Sequence, residues 1–296
     1  MLANLAALGA AFCWAAGGFI AIGPVRVIGA VAFNRLRMCL VSVGLALAAT
    51  LLGRWGTLDA GAVLLLALSG AVGIVLGDTA LFWALGRLGP RRNSVVYATN
   101  APLTALLGWL ALGEGLGPWT AGGIALVTTG VMLAVFFRQG EATAHDWEKV
   151  RGPIAVGVGV CLLAALCQAG GTIIAKPAMA AGADPVAASA VRVGTAAVLL
   201  LAMGLLPGQA MNLRAALQPR ILIQIAGSGL LGLGIGMTLL LVGLAHGTAG
   251  VVATLSATSP VLVLPMLWAL TGKRPGAWGW AGAVLAVLGV VLIVNR

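Results

Sequence analysis

Residues 108–133 read GWLALGEGLGPWTAGGIALVTTGVML, and residues 279–292 read GWAGAVLAVLGVVL. The first quotation is two apolar runs parted by Gly113-Glu114-Gly115-Leu116-Gly117-Pro118. Glycine and proline are the residues that close one helix and open the next. The single charge, Glu114, falls at the boundary, and Trp119 follows at the start of the second run, where a membrane–water interface favours tryptophan. The reading is two membrane helices joined by a tight turn. The rest of the chain agrees: 61% of its 296 residues are A, V, I, L, M, F, W, Y or C, 44 are Gly, and only 8% are charged. An ordinary soluble domain carries about 25% charged residues, so a soluble globule is excluded. A disordered chain, which needs low hydrophobicity and high charge, is excluded too. The net charge of +10 does not point to nucleic acid, because no basic run has interleaved aromatics.

A span needs about 20 mostly apolar residues. Ten segments qualify: 2–23, 30–52, 60–86, 93–113, 118–137, 153–175, 186–206, 220–245, 248–270 and 276–294. They are continuously apolar rather than alternating, which argues against a β-barrel. The first lacks a basic leader and is long enough to span, so it reads as a helix rather than a cleaved signal. Tight turns such as Leu88-Gly89-Pro90 and Gly272-Lys273-Arg274-Pro275 join most of them. The longest polar stretch, RQGEATAHDWEKVR at 138–151, holds three of the seven acids. It divides the chain into a first five-helix unit (1–138), a linker (139–151) and a second five-helix unit (152–296).

The two units resemble each other. Trp119 falls on Trp278, Gly123 on Gly282, Gly130 on Gly289 and Thr79 on Thr238, all at an offset of 159. Pro102 falls on Pro260, Arg37 on Arg192, Pro24 on Pro177 and Gly17-Gly18 on Gly170-Gly171, at offsets drifting from 158 to 153. Each unit has an odd number of spans, so the second must enter the membrane in the opposite sense. The fold class expected is therefore an all-α polytopic membrane protein with ten transmembrane helices in two inverted five-helix repeats. Many secondary transporters use that architecture, with the substrate near the midplane between the repeats.

Trp14, Gly17-Gly18, Arg37, Pro102 and the 108–133 run resemble the EamA-type, ten-helix branch of the drug/metabolite transporter superfamily. Arg192, Pro260 and the 279–292 run repeat the pattern, so the resemblance covers essentially the whole chain. It differs from the family at two places: Gly272-Lys273 stands where the second glutamate would be, and the basic cluster after the second helix is reduced to Arg54. The resemblance implies a metabolite exporter with the fourth and ninth helices bordering the central path, and both termini in the cytoplasm. The loops say otherwise about orientation. Of the 17 Lys and Arg, only Arg54, Lys176 and Arg296 lie on the side of the termini. The positive-inside rule then places both termini outside, and the chain's own loops weigh toward that side.

Asp78 lies in VGIVLGDTALFWAL, residues 72–85. A carboxylate at that depth costs about 2.5–3.5 kcal/mol on insertion scales, so it reads as a proton or substrate-amine site, as an ion pair with Arg37, or, if the span is shifted, as an acid at the interface. Its repeat mate is Met237, so the acid is not an architectural need of both units. Arg37 and Arg192 are symmetric and near helix ends; they anchor to the interface, pair with Asp78, or hold a substrate carboxylate. Glu114 caps or pairs at the interface, or gates. Asn93, Tyr97, Asn100 and Thr104 are spaced 4, 3 and 4, which puts them on one helix face. Lipid cannot satisfy such a face, so it meets a partner helix or an aqueous cavity. Trp14 in the first span and Gln168 in the sixth are near-matched cavity candidates, with Thr258 from the ninth. Thr254, Ser256 and Ser259 share that span without forming one narrow face. The four cysteines form no C-x-x-C and His145 and His246 are far apart in sequence, so no metal, disulfide or cofactor is expected. No Walker motif, nucleophile elbow or HExxH occurs.

The function expected is a secondary transporter of the inner (plasma) membrane. It would move a small organic metabolite, an amino acid or amphipathic compound, by alternating access and in the direction of export. Proton coupling through Asp78 is open to it, and it would act as a monomer or homodimer. A lipid-linked-sugar flippase on the same fold and a membrane-embedded enzyme are the alternatives; an enzyme would call for clustered acids or histidines at one interface, and none are visible.

Overall fold

The computed structural model describes residues 1–136, 153–204, 213–271 and 276–294. The linker expected at 139–151 and the Gly272-Lys273 position lie outside the described residues. Every regular element among the described residues is a helix, in the order α1 (Leu2–Ile28), α2 (Ala30–Leu51), α3 (Ala60–Ser69), α4 (Gly77–Tyr97), α5 (Asn100–Leu112), α6 (Pro118–Phe136), α7 (Ile154–Ala180), α8 (Pro185–Gly204), α9 (Leu213–Ala216), α10 (Pro219–Gly229), α11 (Met237–His246), α12 (Ala249–Ser256), α13 (Ser259–Thr271) and α14 (Ala277–Val294). A short 3₁₀ turn, Arg54–Thr57, follows α2. Nine helical stretches among the described residues are long and apolar enough to cross a membrane, and Pro118–Ala134 is a shorter apolar helix. The protein is an all-α polytopic membrane protein. With water absent from the bilayer core, helices satisfy every backbone N–H and C=O within their own segment.

Two devices interrupt the helices, and each occurs in both units. The backbone widens to a π-helix at Gly70–Leu76, between α3 and α4, and again at Leu230–Gly236, between α10 and α11. The chain then breaks at Ala98-Thr99 and at Ala257-Thr258. The cause of each break lies a few residues ahead. Pro102 and Pro260 lack the N–H that would reach back four residues, and their rings crowd the carbonyl there. Side chains take up carbonyls around the breaks. Asn100 Nδ2 donates to Tyr97 O at 3.0 Å, and Ser259 Oγ donates to Ser256 O at 3.1 Å. Thr99 Oγ1 donates to Val96 O, and Thr258 Oγ1 to Leu255 O, both at 2.7 Å.

One boundary departs from the sequence expectation. The helical backbone continues through Leu88-Gly89-Pro90 to Tyr97 rather than ending in a turn. The chain nevertheless reverses there: Leu88 packs on Gly157 of α7, Cys161 Sγ donates to Asn93 O at 3.3 Å, and Gly108 lies against Ile173. α7 thus lies between the descending α3–α4 and the returning α5.

The packing is pairwise between units. α2 packs on α8, α6 on α14 and α5 on α12, while α1 lies along α10–α11 and α7 along α3–α4. Exchanging the two units maps every one of these contacts except α5–α12 onto a member of the set. The hydrogen bonds follow the same exchange: Ser69 Oγ donates to Gly171 O, and Ser228 Oγ donates to Gly17 O at 2.9 Å. The α6–α14 pair is antiparallel, with Gly123 against Gly289 and Ile293, and Gly130 against Gly282 and Ala286. Glycines let these backbones touch, which is how helices associate where lipid tails are as apolar as leucine. The α2–α8 pair is antiparallel too: Arg35 lies on Gly204 at one end, and Arg54 meets Asp184 at 3.7 Å at the other.

Candidate substrate cavity

A cavity of about 370 Å³ lies among α1, α2, α4, α5, α6, α7, α11, α12, α13 and the two π segments. Of the residues singled out in the sequence, Trp14, Arg37, Asp78, Tyr97, Asn100 and Gln168 line it. Each reaches it for a local reason. Trp14 points its indole across to the widened turn, where Nε1–H donates to Gly232 O at 2.8 Å. A Cβ on Gly236 would stand 2.9 Å from Trp14 Nε1, so that glycine makes room for the ring. Asp78 is the second residue of α4, directly after the first π segment. Tyr97 and Asn100 flank the Pro102 break, which turns both toward the same space. Gln168 comes from α7, and its carbonyl accepts from Thr172 Oγ1 at 3.0 Å.

The charges differ in how they are satisfied. Asp59 accepts from Ala62 N at 2.6 Å and caps α3; Asp184 accepts from Val186 N at 2.9 Å and Ala187 N at 3.2 Å and caps α8. Glu114 accepts the Ala249 N–H on both oxygens, at 2.9 and 2.8 Å, and caps α12. These are ordinary uses of an acid at a helix N-terminus. Asp78 has no hydrogen bond or ion pair among the described residues, and it faces the cavity. Arg37 acts on it through space, but Arg37 Nη2 donates to Asn34 Oδ1 at 2.8 Å, and the guanidinium lies over the Phe33 ring, 5.2 Å from its centroid. An acid and a base therefore face one space without closing on each other. A bound molecule with both charges could bridge them.

The other expected residues are placed elsewhere. The single polar face of Asn93, Tyr97, Asn100 and Thr104 is corrected: the Pro102 break divides it between α4 and α5. Asn93 is buried beside Cys161, and Thr104 is buried with Oγ1 donating to Asn100 O at 2.7 Å. Thr258 is buried at its own break and does not line the cavity. Glu114 and Lys176 together hold the α11–α12 turn. Lys176 Nζ donates to Leu244 O and Gly247 O, the carbonyls at the end of α11. Arg192 is fully buried, and its Nε, Nη1 and Nη2 have no hydrogen-bond partner among the described residues.

Thr172 and Met237 also line the cavity, as do Ser256 and Ser259, which the sequence marks as polar residues of the ninth span without singling them out from Thr254 and Thr258. Two of them carried a usable signal. Ser256 and Ser259 stand 159 residues after Tyr97 and Asn100, the offset of the best repeat matches. Thr172 follows Gln168 by one helical turn. Close to the bundle end that carries the N-terminus, the cavity is closed where α5 meets α12. A Cβ on Gly250 would lie 2.6 Å from Ala105 Cβ, so no gap remains between those helices. Past its break, α13 packs instead on α1, α6 and α14.

The comparisons with known proteins agree with this architecture. The sequence model of the EamA-like transporter family matches residues 1–136 and again residues 155–295. Among curated proteins none matches. A solved crystal structure superposes with a TM-score of 0.80 at 16% identity, over 99% of this chain and 96% of that one. At that identity the likeness speaks for the fold alone.

Proposed function

Because the chain belongs to the EamA-like transporter family, we propose that it is a secondary transporter that carries a small organic metabolite by alternating access through the central cavity. The observation that carries this reading is Asp78 and Arg37 facing one cavity of about 370 Å³ without pairing. That volume is in the range of small-molecule sites. Opposite charges at its wall suit a zwitterion: the ammonium on Asp78, the carboxylate on Arg37, and an apolar side chain against Trp14 and Tyr97. An amino acid or a similar amphipathic compound has this chemistry. Tyr97, Asn100 and Gln168 supply further donors and acceptors.

Alternating access rests on the relation between the units. Counterpart helices α6 and α14, and α2 and α8, lie antiparallel, as repeats inserted in opposite senses would. Export is the direction proposed, by analogy with the family. The loop charges put both termini outside a plasma membrane.

The test is counterflow in proteoliposomes loaded with pooled metabolites and read by mass spectrometry, beside protein-free liposomes. The expected result is selective, saturable accumulation of one zwitterionic class, lost in Arg37→Gln and Asp78→Asn. Accumulation by the variants equal to that of the native protein would remove the charge pair from the mechanism. Silence across amino acids, nucleosides, sugars and polyamines would overturn the small-metabolite reading. If Asp78 also carries the coupling proton, transport driven by a pH gradient disappears in Asp78→Asn while counterflow of any residual substrate no longer responds to pH. Unchanged gradient dependence sinks proton coupling through this residue.

A further inference from the structure

Arg37 and Arg192 are repeat mates that pack on matching glycines, Gly229 and Gly70, but differ in what their guanidinium groups meet. Arg37 lies seven residues after the start of α2, and Arg192 lies seven residues after the start of α8. Because α2 and α8 are antiparallel, the two sit at matching depths from opposite faces of the bundle. Arg37 lines the cavity and has Asn34, one turn back, as an acceptor. Arg192 lies in the closed half, near the end where Arg54 meets Asp184. Its backbone presses on Gly70 and its guanidinium lies beside Gly73 of the first π segment. The residue that corresponds to Asn34 is Ser189, also one turn back, but Ser189 Oγ pairs with the Thr238 hydroxyl at 3.1 Å, whose own proton goes to Gly234 O at 2.6 Å. A guanidinium with five donors and no acceptor in reach among the described residues is costly to bury. The fold thus holds one member of a symmetric pair at the cavity wall, and the other sealed away from it.

We infer that Arg192 is a second cavity arginine, which lines the path in the opposite-facing state and there binds the anionic group that Arg37 binds here. The inference rests on the alternating-access reading. When two related units exchange conformations, the surroundings of Arg192 become those of Arg37, and Ser189 is released to act as Asn34 does. The neighbours are not equivalent in one respect: the mate of Asp78 is Met237. No acid of its own unit then faces Arg192, and a carboxylate or phosphate on the substrate is its partner. Opening that half requires α5 to leave α12, the one contact of the set with no image in the other unit. Glu114, just past the end of α5, holds that contact through Ala249 N, and Lys176 of α7 fixes the α11–α12 turn on which α12 begins.

The test needs no identified substrate. In a protein with Cys13, Cys39, Cys161 and Cys167 replaced by alanine, Ser189→Cys and Asn100→Cys are reacted separately with methanethiosulfonates carrying a sulfonate or a trimethylammonium group. Asn100 stands on the cavity wall, and Ser189 is fully buried beside Arg192. Asn100→Cys should therefore react readily and Ser189→Cys slowly. Glu114→Ala, added to each, should speed Ser189→Cys roughly five-fold, the population shift expected from losing one helix cap, and slow Asn100→Cys. Lys176→Met serves the same purpose if Glu114→Ala does not insert. Neutralising Arg192 by Arg192→Gln in the released background should lower the sulfonate-to-ammonium rate ratio of Ser189→Cys by about ten-fold, since a lone cation focuses anions. A Ser189→Cys rate that is the same with and without the clamp, whether fast or slow, overturns the inference. So does a rate ratio indifferent to Arg192. These readouts are separate from transport. Counterflow with an unresponsive Ser189→Cys thiol removes Arg192 and leaves the transporter. A responsive thiol there without counterflow leaves the opening at Arg192 and removes the metabolite reading.

Discussion

Seven acids make this chain legible at the scale of single residues. Three fall in 141–148, outside the described residues, and three cap helices, which leaves Asp78 as the one described acid with no local structural task. Sequence position marks Asp78 through its depth in an apolar run, and Trp14 through the same argument. Tyr97, Asn100 and Gln168 stand out by polarity in apolar surroundings, and the structure brings them to the same cavity. Asn93, Thr104 and Thr258 stand out in the same way and are buried elsewhere, because polarity alone does not say whether a hydroxyl returns to its own helix. Thr104 and Thr258 do so, each closing on a carbonyl three or four residues back. Trp14 offers a residue-scale prediction. Trp14→Phe keeps a ring but deletes the donor to Gly232 O, and should lower stability by about 1 kcal/mol. Thermal unfolding in detergent reads the loss, and a melting temperature equal to the native one would show that the Gly232 bond contributes nothing.

Helices and their interruptions form the next scale. The sequence places ten apolar segments correctly in number and order, since hydropathy and length suffice for that. It does not place the breaks. Pro102 and Pro260 are visible as repeat mates, yet a single polar stripe assumes an unbroken helix across Pro102. The glycine seam between α6 and α14 makes a clear element-scale prediction. A Cβ on Gly130 would meet Gly282 O at 2.6 Å and Ala286 N at 2.5 Å. Backbone cannot retreat as a flexible side chain can, so Gly130→Leu should cost at least 1–3 kcal/mol, roughly the usual range for overpacking. Reduced yield of monodisperse protein and a lower melting temperature are the measurements; a variant as stable as the native protein would mean the helices part freely. At the α11–α12 turn, Glu114→Ala should destabilise by about 1 kcal/mol through loss of the cap on Ala249, and Glu114→Gln should recover much of it. Equal melting temperatures for the two variants would argue against the cap.

Orientation belongs to the whole molecule. With the helix residues Arg37 and Arg192 set aside, the loop assignment read from the sequence gives twelve Lys and Arg on the side away from the termini against three on theirs, a bias that would place the 3₁₀ turn at Arg54–Thr57 outside. Gly56 is exposed, and a Cβ there meets nothing within 4 Å. With the native cysteines replaced, Gly56→Cys should react with a membrane-impermeant maleimide in intact cells. Protection until the cells are lysed would put the termini in the cytoplasm, as the family resemblance implies, and reverse the direction in which the cavity faces.

The sequence by itself determined that this chain is a bundle of membrane helices built from two similar units and similar to one transporter family. Those properties depend on composition, segment length and ordered repeat matches, all of which are local or additive along the chain. Only the tertiary structure decided which polar side chains share a space. That depends on where helices break, on which glycines let backbones meet, and on how α7 threads between its partners. It also separated Arg37 from Arg192. The two are indistinguishable by repeat position. One faces a cavity and the other is fully buried with its guanidinium beside Gly73, because packing, unlike repeat position, is set by the whole bundle.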